Sequence, residues 1–171
     1  MTVPPPPAGR VLFAGDLVDT EATEALGRRL AGLLRAGDLL VLTGPLGAGK
    51  TTLTRGLGAG LQVRGQVASP TFVLARTHPT ASGVPLVHVD AYRLGGADEL
   101  DDLDLDYEGS VVVVEWGAGL LDGVAESWLD VVIERPTGAG GGLDDDVADE
   151  PRRLTITAHG PRWEGVRLTT C

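Results

Sequence analysis

The chain has 171 residues, 43% of them hydrophobic, and a formal net charge of −10. That length suits one globular domain with a real core, and no apolar run approaches the roughly 20 residues of a membrane span, so a membrane-spanning helix is not expected. The acidity excludes a strong nucleic-acid binder acting alone, since such proteins displace counterions from phosphates with a basic surface, and a single cysteine, Cys171, excludes an internal disulfide framework and agrees with a reducing cytoplasm.

Residues 1–8 are proline-rich with no charged n-region and read as a disordered tail, not a signal peptide. Residues 9–171 read as a single domain. Arg10-Val11-Leu12-Phe13 suggests an edge strand. Asp19 or Thr20 can cap a helix whose apolar stripe is Ala22, Leu26, Leu30, Leu33 and Leu34, with Gly37 just past its end.

The apolar run Leu39-Leu40-Val41-Leu42 then leads into Gly44-Pro45-Leu46-Gly47-Ala48-Gly49-Lys50-Thr51. This octapeptide fits G-x-x-x-x-G-K-[ST], the phosphate-binding P-loop, and Leu53, Leu57 and Leu61 mark a helix after it. Strand, glycine loop and helix are the context in which the motif carries chemistry. The glycines let successive N–H groups face phosphate oxygens, and the helix N-terminus adds its positive end. In such a loop Lys50 reaches the outer phosphates and the Thr51 hydroxyl binds Mg²⁺. Lys50 is the only lysine, among thirteen arginines. Gly56, Gly58 and Gly60 each weaken the following helix, so its last turn is expected to fray.

Ser69-Pro70-Thr71-Phe72 reads either as a turn into an alternating strand, Phe72 to Arg76, or as a switch loop whose hydroxyls approach the terminal phosphate and its attacking water. Residues 79–83 suggest a hairpin turn before the strand Leu86-Val87-His88-Val89-Asp90. Asp90 is either a strand-ending acid or a Walker-B carboxylate, because ligands of open α/β sheets gather at strand carboxyl ends. Asp102, Asp104 and Asp106 alternate as in a calcium loop, but Tyr107 occupies the position of the tight-turn glycine, so residues 96–106 read as a solvated helix. Val111 to Val114 suggests a central strand ending in Glu115-Trp116, a second acid at the same sheet edge. Strands follow at 129–134 and 152–158, the latter with Leu154, Ile156 and Ala158 on one face, and between them residues 136–151 read as a mobile acidic surface loop. The tail from Arg162-Trp163 carries little pattern.

Taken in order, the Gly44-to-Thr52 loop, Ser69-Pro70-Thr71-Phe72, His88-Val89-Asp90-Ala91-Tyr92-Arg93-Leu94 and Val114-Glu115-Trp116 resemble the bacterial TsaE family. Its members are small P-loop ATPases of tRNA threonylcarbamoyladenosine biosynthesis. The likeness runs from Asp16 to Gly160. It implies a P-loop NTPase fold, a three-layer α/β/α sandwich around a mixed, mostly parallel sheet. It implies ATP and Mg²⁺ as cofactors, Thr51 and Glu115 as metal ligands, and Gly47, Ala48, Gly49, Lys50, Thr51 and Thr52 as the phosphate loop. Asp19 and Arg152 would lie near the nucleotide, and Asp90 near the metal and the attacking water. Trp116 and the Ser69-to-Phe72 loop would be tied to activity and partner response. Catalysis would rest on Lys50, with Asp90 or Thr71 positioning water. The implied partners are the TsaD and TsaB proteins, with tRNA reached only through that complex. Pro45 stands where the family usually carries an acid. A small-molecule kinase is the alternative, although residues 117–150 contain one arginine, Arg135, where a phosphate-closing lid would be basic. A guanine-reading N-K-x-D motif is impossible in a chain without asparagine.

Overall fold

The computed structural model describes residues 9–45, 49–65, 67, 74–92, 94, 96–117, 121, 124–135 and 151–168. Its elements are β1 (Arg10–Leu17), α1 (Thr20–Ala31), β2 (Leu39–Thr43), α2 (Lys50–Gly60), β3 (Ala75–His78), β4 (Leu86–Asp90), α3 (Ala97–Asp101), β5 (Val111–Glu115), β6 (Trp128–Glu134) and β7 (Arg152–His159). The strands form one seven-stranded sheet in the order β1-β7-β6-β2-β5-β4-β3. Its centre, β6-β2-β5-β4, is parallel, while β1, β7 and β3 join antiparallel at the flanks. This is a mixed α/β sheet of the P-loop kind.

Burial explains the strand patterns. Every residue of β5 is buried, as are Leu39 to Leu42 of β2, so both read as continuous apolar runs. In β7 only alternate residues are buried, which is the alternation of a strand with one covered face. On one face Leu40, Leu42, Leu86, Val111 and Val113 pack with Leu26 and Leu30 of α1 and Leu53 and Leu57 of α2. On the other, Val41, Val87, Val89, Val112 and Val114 pack with Leu100 of α3. Helices therefore lie on both sides of the central strands.

Two helix expectations are corrected. Helix α1 ends at Ala31, capped by Gly32, not at Gly37. The groups beyond it are satisfied otherwise: the Asp38 carboxylate accepts the Arg35 N–H at 2.8 Å, and Arg162 donates to the Leu33 carbonyl at 2.7 Å. Helix α2 does not fray at its glycines and continues to Gly60. A Cβ on Gly56 would collide with the Glu24 carbonyl oxygen, and one on Gly60 would stand 2.5 Å from the Ala31 Cβ. These glycines let α2 press against α1, and packing outweighs their low helix propensity. Strand β3 begins at Ala75, and the expected strand start at 72–73 lies outside the described residues, as do 1–8 and 136–150. Among the described residues no helix is long and apolar enough to cross a membrane.

Candidate functional site

Strand parity sets the site. Val111 and Val113 face α1 and α2, so Glu115, two residues on, emerges on that same side. Leu86 does likewise for His88 and Asp90. Glu115 pairs in register with Asp90 on one side and Leu42 on the other. Three strand ends thus meet where β2 hands the chain to the P-loop.

Lys50 opens α2 behind Gly49, whose φ of 111° is a left-handed conformation suited to glycine. Its side chain is buried and folds back. Nζ donates to the carbonyl oxygens of Gly44 at 2.6 Å and Pro45 at 3.1 Å. The same ammonium lies 4.1 Å from the centroid of the Trp116 ring, a cation–π contact. Burial lowers the pKa of Lys50 below its ordinary value, while the charges of Glu115 and then Asp90 act to raise it. Both acids are therefore within electrostatic reach of the P-loop lysine.

Glu115 is 5% exposed. Its Oε2 accepts a hydrogen bond from His88 Nε2 at 2.6 Å. Its backbone oxygen accepts the Ala91 N–H at 2.9 Å, and the next N–H, of Trp116, donates to Leu42 at 3.0 Å. Trp116 has φ of 63°, a value bulky residues rarely adopt, which turns its ring across Lys50. The Tyr92 ring lies 5.2 Å from the Trp116 ring and is exposed. Asp90 Oδ1 accepts the Tyr92 N–H at 3.0 Å.

Other predicted residues occupy the same edge. Asp19 caps α1, its Oδ1 accepting the Ala22 N–H at 2.8 Å. That helix end adjoins the loop, because a Cβ on Gly49 would stand 4.0 Å from the Thr23 methyl. Arg152 is buried at the start of β7, in register with Leu17. Since β7 runs antiparallel to β6, and β6 parallel to β2, that start lies at the P-loop edge of the sheet. Thr51 and Thr52 sit half-buried in the first turn of α2. Gly47, Ala48 and Thr71 lie outside the described residues.

The donor set fits Mg²⁺. It consists of hard oxygens, the Glu115 and Asp90 carboxylates and the Thr51 hydroxyl, beside a cation-bearing loop. Among the described residues no cluster of three or more His, Cys, Asp or Glu side chains forms a self-sufficient metal cage. Mg²⁺ suits such a place, because it is usually held by one or two protein oxygens and completed by phosphates and water. Sequence reasoning missed His88 as a site residue. Its signal was an imidazole inside an otherwise apolar strand, two residues before Asp90. A separate cavity of about 370 Å³, lined by Arg10, His159 and Trp163, lies at the opposite sheet edge and takes no part here.

A family model described as threonylcarbamoyl adenosine biosynthesis protein TsaE matches residues 17–139. The chain is 61% identical over 142 residues to the tRNA threonylcarbamoyladenosine biosynthesis protein TsaE of Streptomyces coelicolor, covering 81% of this chain and 91% of that one. To the protein of the same name from Bacillus subtilis it is 37% identical over 150 residues, 86% of each chain. The crystal structure of Bacillus subtilis YdiB superposes with a TM-score of 0.66 at 32% identity, over 89% of this chain and 88% of that chain.

Proposed function

This chain belongs to the TsaE family of threonylcarbamoyl adenosine biosynthesis, and from that premise we propose that it is a Mg²⁺-dependent ATPase. It acts with the TsaD and TsaB proteins and resets their transferase complex between rounds of tRNA modification. The observation that carries the ATPase reading is the placing of Lys50. A solitary ammonium lies on the Gly44 and Pro45 carbonyls, within the fields of two carboxylates at neighbouring strand ends.

The residues divide the work by their chemistry. Lys50 exchanges two backbone carbonyls for the outer phosphates of ATP, a stronger charge-assisted partnership. The first N–H groups of α2 supply fixed dipoles to the same anion. Glu115 and Thr51 hold Mg²⁺, which neutralises charge on the phosphates when bound. Asp90, beside Glu115, orients the attacking water, and Thr71 is the second candidate for that role. Asp19 and Arg152 border the nucleotide at the α1 and β7 ends of the same edge. The barrier falls mainly through electrostatic positioning, because phosphoryl transfer needs little covalent help. With a net charge of −10, the chain meets tRNA through its partners and not by its own surface.

The test is ATP turnover by the wild type and by Lys50→Ala, alone and with TsaD and TsaB. Turnover should fall by about 100-fold or more, the scale set by losing one preorganised charge-stabilising group. Unchanged turnover in the variant would refute the site.

A further inference from the structure

His88 belongs to a strand that would be simpler without it. Its neighbours Leu86, Val87 and Val89 are all buried, and His88 itself is 0% exposed. Among the described residues its Nδ1 has no hydrogen-bond partner. An imidazole with one orphaned nitrogen is a costly choice for a core position. Its single strong contact goes to Glu115 Oε2, at 2.6 Å. A carboxylate can only accept, so Nε2 donates the proton of this bond.

The bond does something the backbone cannot. The Glu115 backbone is fixed by its neighbours on β2 and β4, but its carboxylate could still rotate about the side chain. His88 holds the Oε2 end of that carboxylate and so limits its rotation. The imidazole is fully buried, and its backbone is held mid-strand with β3 on one side and β5 on the other.

We propose that His88 is a positioning residue that presents the Glu115 carboxylate to the divalent cation, acting through the Nε2–Oε2 hydrogen bond. This rests on the reading of Glu115 as a metal ligand. Partners that orient a ligating carboxylate typically change metal affinity by about 10- to 100-fold when removed. A merely structural histidine would affect folding and leave metal affinity alone.

The experiment titrates the full-length protein with a fluorescent, non-hydrolysable ATP analogue, in EDTA and across a Mn²⁺ series. The half-saturating Mn²⁺ concentration reads metal affinity without reference to turnover. His88→Leu should raise it about 10- to 100-fold while affinity in EDTA stays at the wild-type value. His88→Gln, whose amide N–H extends toward the Nε2 position, should recover most of that loss. In a Glu115→Gln background His88→Leu should add nothing. Should His88→Leu not fold, His88→Asn replaces it, since its amide stops at the Nδ1 position and the same loss is expected. The inference is overturned if His88→Leu, or His88→Asn in its place, matches the wild type in Mn²⁺, if affinity in EDTA falls in parallel, or if the effect persists without Glu115. Loss of Mn²⁺ response in Glu115→Gln with none in His88→Leu sinks the His88 role alone. Absence of any nucleotide binding by the wild type sinks the proposed ATPase along with it.

Discussion

Lys50 is held between opposing influences. Burial discourages its charge, and Glu115 and Asp90 encourage it, with burial the larger. Its pKa therefore lies below the usual 10.5 of lysine, and a phosphate at Nζ would raise it again. Nucleotide binding then takes up a proton at alkaline pH. Affinity should hold steady below the lowered pKa and fall as pH rises through it, beginning short of 10.5. Binding isotherms of an ATP analogue between neutral and alkaline pH check this, and an affinity flat to pH 10.5 would contradict it. Glu115→Ala should weaken Mg²⁺-dependent turnover more than Mg²⁺-free nucleotide binding, and equal loss of both would leave Glu115 a structural acid. At this scale the positions of Lys50 at the start of α2 and of Asp90 and Glu115 at strand ends were legible, the lysine from its glycine-rich motif and the acids because each ends an apolar run. The partner of Glu115 was not, since a histidine on one strand and a glutamate on another are joined only by register.

At the scale of elements, the seam between α1 and α2 decides where the P-loop helix sits. Gly27 and Gly56 face each other there: a Cβ on Gly27 would stand 2.9 Å from the Gly56 Cα. On an isolated helix, replacing Gly56 with alanine would stabilise by about 1 kcal/mol. Here the new methyl strikes the Glu24 carbonyl, so Gly56→Ala should instead cost about 1–3 kcal/mol, as overpacking does. Urea unfolding measures the sign, and a gain in stability would refute the seam. The strands were legible in the sequence from runs and alternation, which report burial directly. The glycines of α2 were misread because propensity describes a helix alone, and their value depends on a second helix.

Across the whole molecule, the carboxyl-terminal segment ties back to the start of β2. Arg162 donates to Asp38 through Nε at 3.0 Å and Nη2 at 3.2 Å, and to the Leu33 carbonyl. Asp38 is buried, and so is Trp163, whose ring lies 4.3 Å from the Arg162 guanidinium carbon. Arg162→Ala leaves a buried carboxylate unpaired and should cost about 3–5 kcal/mol. Thermal or urea unfolding would register it, while nucleotide affinity of the folded protein should not change. Retention of wild-type stability would show the clip to be idle. This clip also satisfies the Leu33 carbonyl just past the end of α1, and its two ends, Arg162 and Asp38, are 124 residues apart. No local pattern encodes such a link, so the tail around Arg162-Trp163 offered nothing to read.

The proposed ATPase depends on one arrangement, a P-loop lysine and two strand-end acids that would together hold a Mg²⁺-triphosphate. A crystal structure with Mg²⁺ and a non-hydrolysable ATP analogue tests it most directly. It should place Lys50 Nζ on the phosphates and off the Gly44 carbonyl, with Thr51 and Glu115 oxygens about 2.1 Å from the metal. A nucleotide bound elsewhere, or a metal that neither Glu115 nor Thr51 touches, would contradict it.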